Sequence, residues 1–150
     1  MALVTRASTI RTAIAAAIVA TNPDVRARRG DGFKHLDAGA ALAESAPDRT
    51  FQLQLTAQPQ RVQKSVGCDL FVVEYGLTFF YASTQDGIED RIASDTERMW
   101  QPVERLFETV TGVARVDLSP LGIQEPGDGV VTSSFSVVVT YQLDAAVITG

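Results

Sequence analysis

Two stretches of the chain alternate apolar and polar positions over an unusual length. In residues 68–83, CDLFVVEYGLTFFYAS, aromatic and aliphatic side chains fall on one side of an extended chain, and a mixed set with Glu74, Gly76 and Thr78 falls on the other. Residues 131–143 repeat this pattern, with mostly serine and threonine on the second side. Both stretches predict a long strand with one buried face and one polar face.

A shorter strand and a polar connection precede each long strand. Residues 51–57 alternate as a half-buried strand does, and the polar run QPQRVQKSVG predicts an extended hairpin loop that carries Arg61 and Lys64. Residues 113–118 also alternate, and Pro120 predicts the end of that strand before a turn-rich segment. The four strands are therefore expected to form two antiparallel hairpins.

Two segments repeat apolar residues at helical spacing. Residues 7–20 predict an amphipathic helix, with Thr5 or Ser8 as its N-cap and a stop at Asn22 and Pro23.

Residues 86–109 predict a longer helix that ends at Gly112. Pro102 removes one hydrogen bond from its interior, which predicts a kink near Arg98 or a break into two helices.

Residues 21–48 interrupt this pattern with a long loop that is rich in glycine and proline. A short strand at residues 25–29 and one helical turn at residues 38–44 are compatible with its sequence. The whole order predicts an α+β fold, α-β-β-α-β-β, in one domain over residues 1–150. We expect a mainly antiparallel four-stranded sheet with both amphipathic helices on one face, which leaves the polar face uncovered.

Charge is divided unevenly along the 150 residues, whose formal net charge is -5. Residues 1–35 carry +4 and the remainder carries -9. Such a division favours contacts with other copies or with a charged neighbour, although a solvated surface with accidental asymmetry is the alternative. The apolar run near the N-terminus is short and alanine-rich, so we expect neither a secretory signal nor a membrane span, and a cytoplasmic location.

Candidate catalytic chemistry is sparse. Cys68 is the single cysteine and His35 the single histidine, so no intramolecular disulfide and no His/Cys metal cluster is expected within one subunit. We interpret His35 as an exposed or hydrogen-bonded loop residue and Cys68 as a small buried side chain. The glycine clusters lack the spacing of phosphate-binding loops.

Acidic residues on the second helix alternate with arginines, as on a solvent face. Glu89 with Asp90 and Glu104 with Glu108 are the paired carboxylates, and Arg91 and Asp95 have the i,i+4 spacing of a helical ion pair.

From these candidate groups together we predict no enzyme activity and no catalytic, metal or cofactor site. A protein interface is the preferred hypothesis, with the following candidate residues: Arg26, Arg28, Arg29, Lys34, Arg61, Lys64, Glu74 and Thr78.

The order of elements resembles one family of virion proteins. The segments STIRTAIAAAIVA, FVVEYGLTFFYAS, DGIEDRIASDTERMW and SSFSVVVTYQLD, with the basic loop between the first two, are together similar to tailed-bacteriophage tail terminators of the lambda type. The resemblance covers about residues 5–144 and implies a homo-oligomeric ring, typically a hexamer. Such a ring caps the tail tube, stops its polymerisation and joins the head connector.

The resemblance also implies partners and a location. The partners are other copies of the chain, the tail tube protein and the head-tail connector, without membrane or sequence-specific nucleic acid, although the genome would pass through the ring. The location is the tail or neck of the virion, after assembly in the host cytoplasm. The alternatives are another neck or tail component, such as a head-tail joining or tube-like protein, and a small ligand-binding or enzymatic α+β domain that uses the open sheet face as a pocket wall.

Overall fold

In its described residues the chain folds as a mixed α+β structure with two α-helices and a five-stranded sheet. The computed structural model describes residues 5–21, 33–35, 49–65, 67–82, 87–127 and 129–144. In chain order the elements are α1 (Arg6–Ala20), β1 (Lys34–His35), β2 (Thr50–Ser65), β3 (Cys68–Ala82), α2 (Ile88–Glu104), a 3-10 helix (Arg105–Glu108), β4 (Val113–Gly127) and β5 (Val130–Asp144).

The strands lie in the order β1-β2-β3-β5-β4. The four long strands are antiparallel to their neighbours, as predicted, and β1 adds a parallel edge strand beside the start of β2. The prediction of four strands missed β1 because two residues are too short to show a period. The strand and helical turn considered at residues 25–29 and 38–44 lie outside the described residues.

The partner strands β2 and β4 are much longer than predicted. The expected hairpin loop after residue 57 is wrong, because β2 continues to Ser65 beside β3, with register shifts that accommodate irregular positions such as Pro59. The expected end at Pro120 is also wrong. Within the described sheet, β4 is an edge strand that pairs with β5 alone, so a proline without an N–H is tolerated there, next to a register shift.

The first helix begins with reciprocal side-chain caps. The Ser8 N–H donates to Thr5 Oγ1 at 3.0 Å, and the Thr5 N–H donates to Ser8 Oγ at 2.8 Å. This capping box satisfies two N–H groups that have no partner in a helix. It confirms Thr5 as the N-cap, and the helix ends at Ala20 just before the predicted stop.

The second helix passes through Arg98 and Pro102 without interruption and changes to a 3-10 helix at Arg105. The loss of one hydrogen-bond donor at Pro102 thus precedes the end of the α-helix at Glu104 by only two residues. Gly112, predicted to end the helix, instead lies in the turn before β4 with φ 85°, a left-handed conformation that glycine adopts without strain.

Both helices pack on one face of the sheet. Side chains from every long element join one buried cluster, which includes Ile14 of α1, Met99 of α2 and Leu77 of β3. The Tyr75 hydroxyl donates to the Ala7 carbonyl at 2.8 Å, which fixes the start of α1 to the sheet. Trp100 of α2 contacts Phe135 of β5 edge to face.

The other face of the sheet, called here the outer face, is only partly open. Glu74, Gly76 and Thr78 are half-buried, whereas Phe80 and Thr132 on the same side are buried. The expectation of an uncovered face is therefore wrong at the end of the sheet that contains Phe80. Burial of this phenylalanine removes apolar area from water and favours folding.

Candidate assembly surface

The outer face presents polar side chains, several of them hydroxyls, in rows across neighbouring strands. Gln52, Thr78 and Ser134 are register neighbours, and the Thr78 and Ser134 hydroxyls are 3.4 Å apart. In the adjoining region, Thr56 Oγ1 donates to Glu74 Oε1 at 3.0 Å. These contacts satisfy polar groups within the face, so it can remain wet or meet another polar surface without loss.

Gly76 keeps this region flat. A Cβ atom added at Gly76 would lie 3.0 Å from Cγ2 of Thr56, which is closer than ordinary contact. Further along the face, Arg115 and Asp117 form an exposed ion pair with an N–O distance of 2.8 Å. The outer face therefore has a close approach of strands at Gly76, and its arginine at position 115 is already paired.

The predicted interface residues do not form a single patch. Lys34 pairs with Thr50 at one end of β2, while Arg61 and Lys64 lie on β2 near its other end. The fourteen residue steps from Thr50 to Lys64 span roughly 45 Å of strand.

Arg61 also lies on the helix-bearing face, because its register partner is Phe71, and its Nη1 is 3.9 Å from Oδ2 of Asp69. Glu74 and Thr78 share the outer face. Three further candidates, Arg26, Arg28 and Arg29, lie outside the described residues.

Among the described residues, the helix-bearing face has one open cleft on the β2 side of the sheet and another on the β4 side. The first, called the basic cleft, has a volume of about 460 Å³ and is lined by Arg6 and Arg11 of α1 above apolar side chains of β2, β3 and β5. The second, called the acidic cleft, has a volume of about 500 Å³ and lies between α2, with Glu89 and Glu97, and the segment of β4 that includes Ile123. Neither cleft was apparent from the sequence, because each is built from elements distant in the chain.

The aromatic floor of the basic cleft is held in a neutral state. Burial raises the pKa of Tyr75, with a further increase from Tyr141 and an opposing effect of Arg11, and burial also raises the pKa of Tyr141. Phe71 and Tyr141 stack with ring centroids 5.9 Å apart. The floor is therefore apolar surface with hydroxyl groups, rather than a source of nucleophiles.

A buried ion pair connects the start of β2 to α2. Nε and Nη2 of Arg49 lie 3.0 and 3.3 Å from the two carboxylate oxygens of Asp95, and the two side chains are 4% and 1% exposed. Burial raises the pKa of Asp95, against the opposing effects of Arg49 and of a hydrogen bond with Tyr81. Asp95 therefore belongs to the core, so its predicted position on a solvent face is wrong. Arg91 also lowers the pKa of Asp95, which agrees with the predicted i,i+4 interaction.

Arg49 has a left-handed backbone conformation, with φ 61°. For a non-glycine residue such a conformation destabilises the folded state by roughly 1–3 kcal/mol. The bidentate contact with Asp95 and the hydrogen bond from the Lys34 N–H to the Arg49 carbonyl hold it there. The sequence gives no signal for this pair, whose members are 46 residues apart.

The single histidine, His35, and the single cysteine, Cys68, line neither the basic cleft nor the acidic cleft. His35 is half-buried on β1 and stacks on Phe51 with ring centroids 5.1 Å apart, so the expected loop position is wrong. Cys68 is half-buried at the first position of β3 rather than fully buried. Within the described ranges, no three His, Cys, Asp or Glu side chains are grouped as a metal site would require.

The paired carboxylates of α2 and of the 3-10 helix that follows it are either exposed or bonded to a neighbouring side chain. Glu89 and Asp90 are exposed, Glu104 accepts a hydrogen bond from Trp100 Nε1 at 2.7 Å, and Glu108 pairs with Arg105.

In the part of the chain that the structure describes, no helix is long and apolar enough to cross a membrane.

Comparison with known proteins adds no assignment. No protein-family model matches the chain, and no curated protein is significantly similar to it.

Proposed function

We propose that the protein is a structural virion component, a phage tail terminator that forms a closed ring at the end of a tail tube. The observation that carries the proposal is the order of two helices and two long hairpins, with both helices on one face of the sheet. This order is the one on which the resemblance to tail terminators rests. A four-strand antiparallel core with an added parallel edge strand is compatible with it.

The outer face suits a wall of the channel in such a ring. Its described side chains are mostly polar and uncharged, with a few apolar residues such as Val72 and Val138, while Glu74 is bonded to Thr56 and Arg115 is paired with Asp117. Nucleic-acid phosphates bind most strongly to unpaired lysine and arginine. A channel lined by such a face would therefore let a genome pass with little binding.

Native mass spectrometry and negative-stain microscopy over a range of protein concentrations test this function. Closed rings of one stoichiometry, most simply hexamers, are the expected result. Tubes that lengthen without limit would instead identify a tube-like component, because a terminator closes and a tube protein polymerises. A chain that stays monomeric at high concentration and low salt would contradict the proposal.

A further inference from the structure

The basic cleft exposes apolar area that the helices do not cover. Phe51 and Leu53 of β2 are buried, but Leu55 on the same side is 53% exposed at the cleft wall. Arg6 donates from Nη1 to the Thr111 carbonyl at 2.9 Å, which fixes its guanidinium at the rim, and Arg11 is half-buried beside it. An exposed leucine beside two arginines is a surface that favours an apolar partner with acidic side chains.

The acidic cleft has the complementary character. Ile123 of β4 is 58% exposed at its wall, and the neighbouring Leu121 is 67% exposed. Glu89 and Glu97 of α2 are both exposed and line the same cleft. This surface therefore combines exposed aliphatic area with negative charge.

The positions of the two clefts determine which kind of assembly they allow. Leu55 lies on β2 and Ile123 on β4, and β3 and β5 separate these two strands in the sheet. Contact of one basic cleft with another would bring arginines together, and contact between two acidic clefts would bring glutamates together. Both are unfavourable, whereas contact between unlike clefts pairs opposite charges. The clefts therefore fit head-to-tail association better than contact between identical surfaces.

We propose that a second copy of the chain docks on this face, with the basic cleft of one copy against the acidic cleft of the next. Leu55 then packs against the aliphatic wall at Ile123, and Arg11 meets the carboxylate of Glu97. This inference rests on the proposed function, since it names the contact that repeats around the ring. It assigns the contact to residues other than the basic candidates that were singled out from the sequence.

Complementary single substitutions test the contact. Leu55→Asp disables only the basic cleft, and Ile123→Asp disables only the acidic cleft. Each variant alone should self-associate at least about tenfold more weakly than the parent chain, as expected for a charge placed in an interface. An equimolar mixture should form 1:1 dimers and nothing larger, because each pair retains one intact contact and has no second one to extend it.

Two controls separate a lost contact from a damaged fold. Val19→Asp places the same charge at an exposed apolar position that lines neither cleft, and it should leave assembly unchanged. Circular dichroism should give all three variants melting temperatures close to that of the parent chain. As an independent measurement, Arg11→Glu should weaken assembly, and Glu97→Arg in the same chain should restore it.

The outcomes distinguish this inference from the proposed function. Closed rings that survive Leu55→Asp and Ile123→Asp would overturn the contact and leave the terminator function standing. Open filaments that both substitutions abolish would support the contact and overturn the terminator function. A parent chain that remains monomeric would overturn both.

Discussion

The two faces of β3 differ in how much of the fold depends on them. Leu77 and Phe79 point towards the helices and are buried, whereas Thr78 between them is half-buried on the outer face. In the described residues, the side chain of Thr78 has one hydrogen-bond partner, the hydroxyl of Ser134. Buried apolar area is the main favourable term in folding, so the helix-bearing face provides most of the stability. The outer face is correspondingly freer to be adapted for contacts.

The ion pairs show the same division. Arg49 and Asp95 are enclosed near the end of the sheet that contains Thr50, whereas Arg115 and Asp117 are exposed on the outer face. A buried charge that loses its partner cannot regain water, but an exposed charge can. The same pairing of arginine with aspartate is therefore expected to have very different energetic consequences in the two places.

The largest effect should follow from Asp95→Ala. It leaves the guanidinium of Arg49 buried without its bidentate partner, which should lower the free energy of unfolding by about 3–5 kcal/mol. The matched change Asp117→Ala should cost no more than about 1 kcal/mol, because that pair is exposed. Urea denaturation of both variants measures the difference. Equal losses would show that the two pairs are energetically equivalent and would contradict the comparison.

Adjacent residues of β3 provide a second, somewhat smaller contrast. Leu77→Ala should lower the free energy of unfolding by about 2–5 kcal/mol, because it leaves a cavity beneath the two helices. Thr78→Ala removes one long hydroxyl contact and should cost about 1 kcal/mol or less. Thermal unfolding followed by circular dichroism compares them. A larger loss for Thr78→Ala would mean that the outer face is more important to stability than its burial indicates.

The smallest effect concerns the protonation of Asp95. Because its pKa is raised, the folded chain binds this proton more tightly than the unfolded chain does. The contribution of Asp95 to the free energy of unfolding therefore increases as the pH falls through the raised pKa towards the ordinary value of 3.8. The stability of the parent chain relative to Asp95→Asn should rise over this range in denaturation curves. A fall would reverse the assigned direction.

Periodicity was sufficient to predict the two helices and the two long inner strands. Periodicity failed to predict the second halves of β2 and β4. The part of β2 beyond residue 57 is mostly polar, and β4 contains Pro120, yet each strand continues because it pairs with a long inner strand. Pairing supplies the hydrogen bonds that the sequence pattern does not reveal.

The candidate surface was less predictable than the fold. Glu74 and Thr78 were found because they stand on the polar side of an alternating strand, and both lie on the outer face. Leu55 occupies an ordinary core position of the strand predicted at residues 51–57, and Ile123 lies in the segment predicted as turns, yet both are exposed on the helix-bearing face. Exposure of an apolar side chain is a tertiary property, so local sequence cannot show it.

The central seam between β3 and β5 has a kinetic consequence. Each hairpin joins residues close in sequence, but the seam pairs residues from 48 positions apart, Ala82 with Val130, to 76 apart, Cys68 with Asp144. Bringing together residues so far apart lowers the chain entropy before the stabilising contacts form, and such non-local pairing slows folding. The two hairpins should therefore form early and dock late. In the interval, two long strand edges that the native sheet joins would be available to other chains.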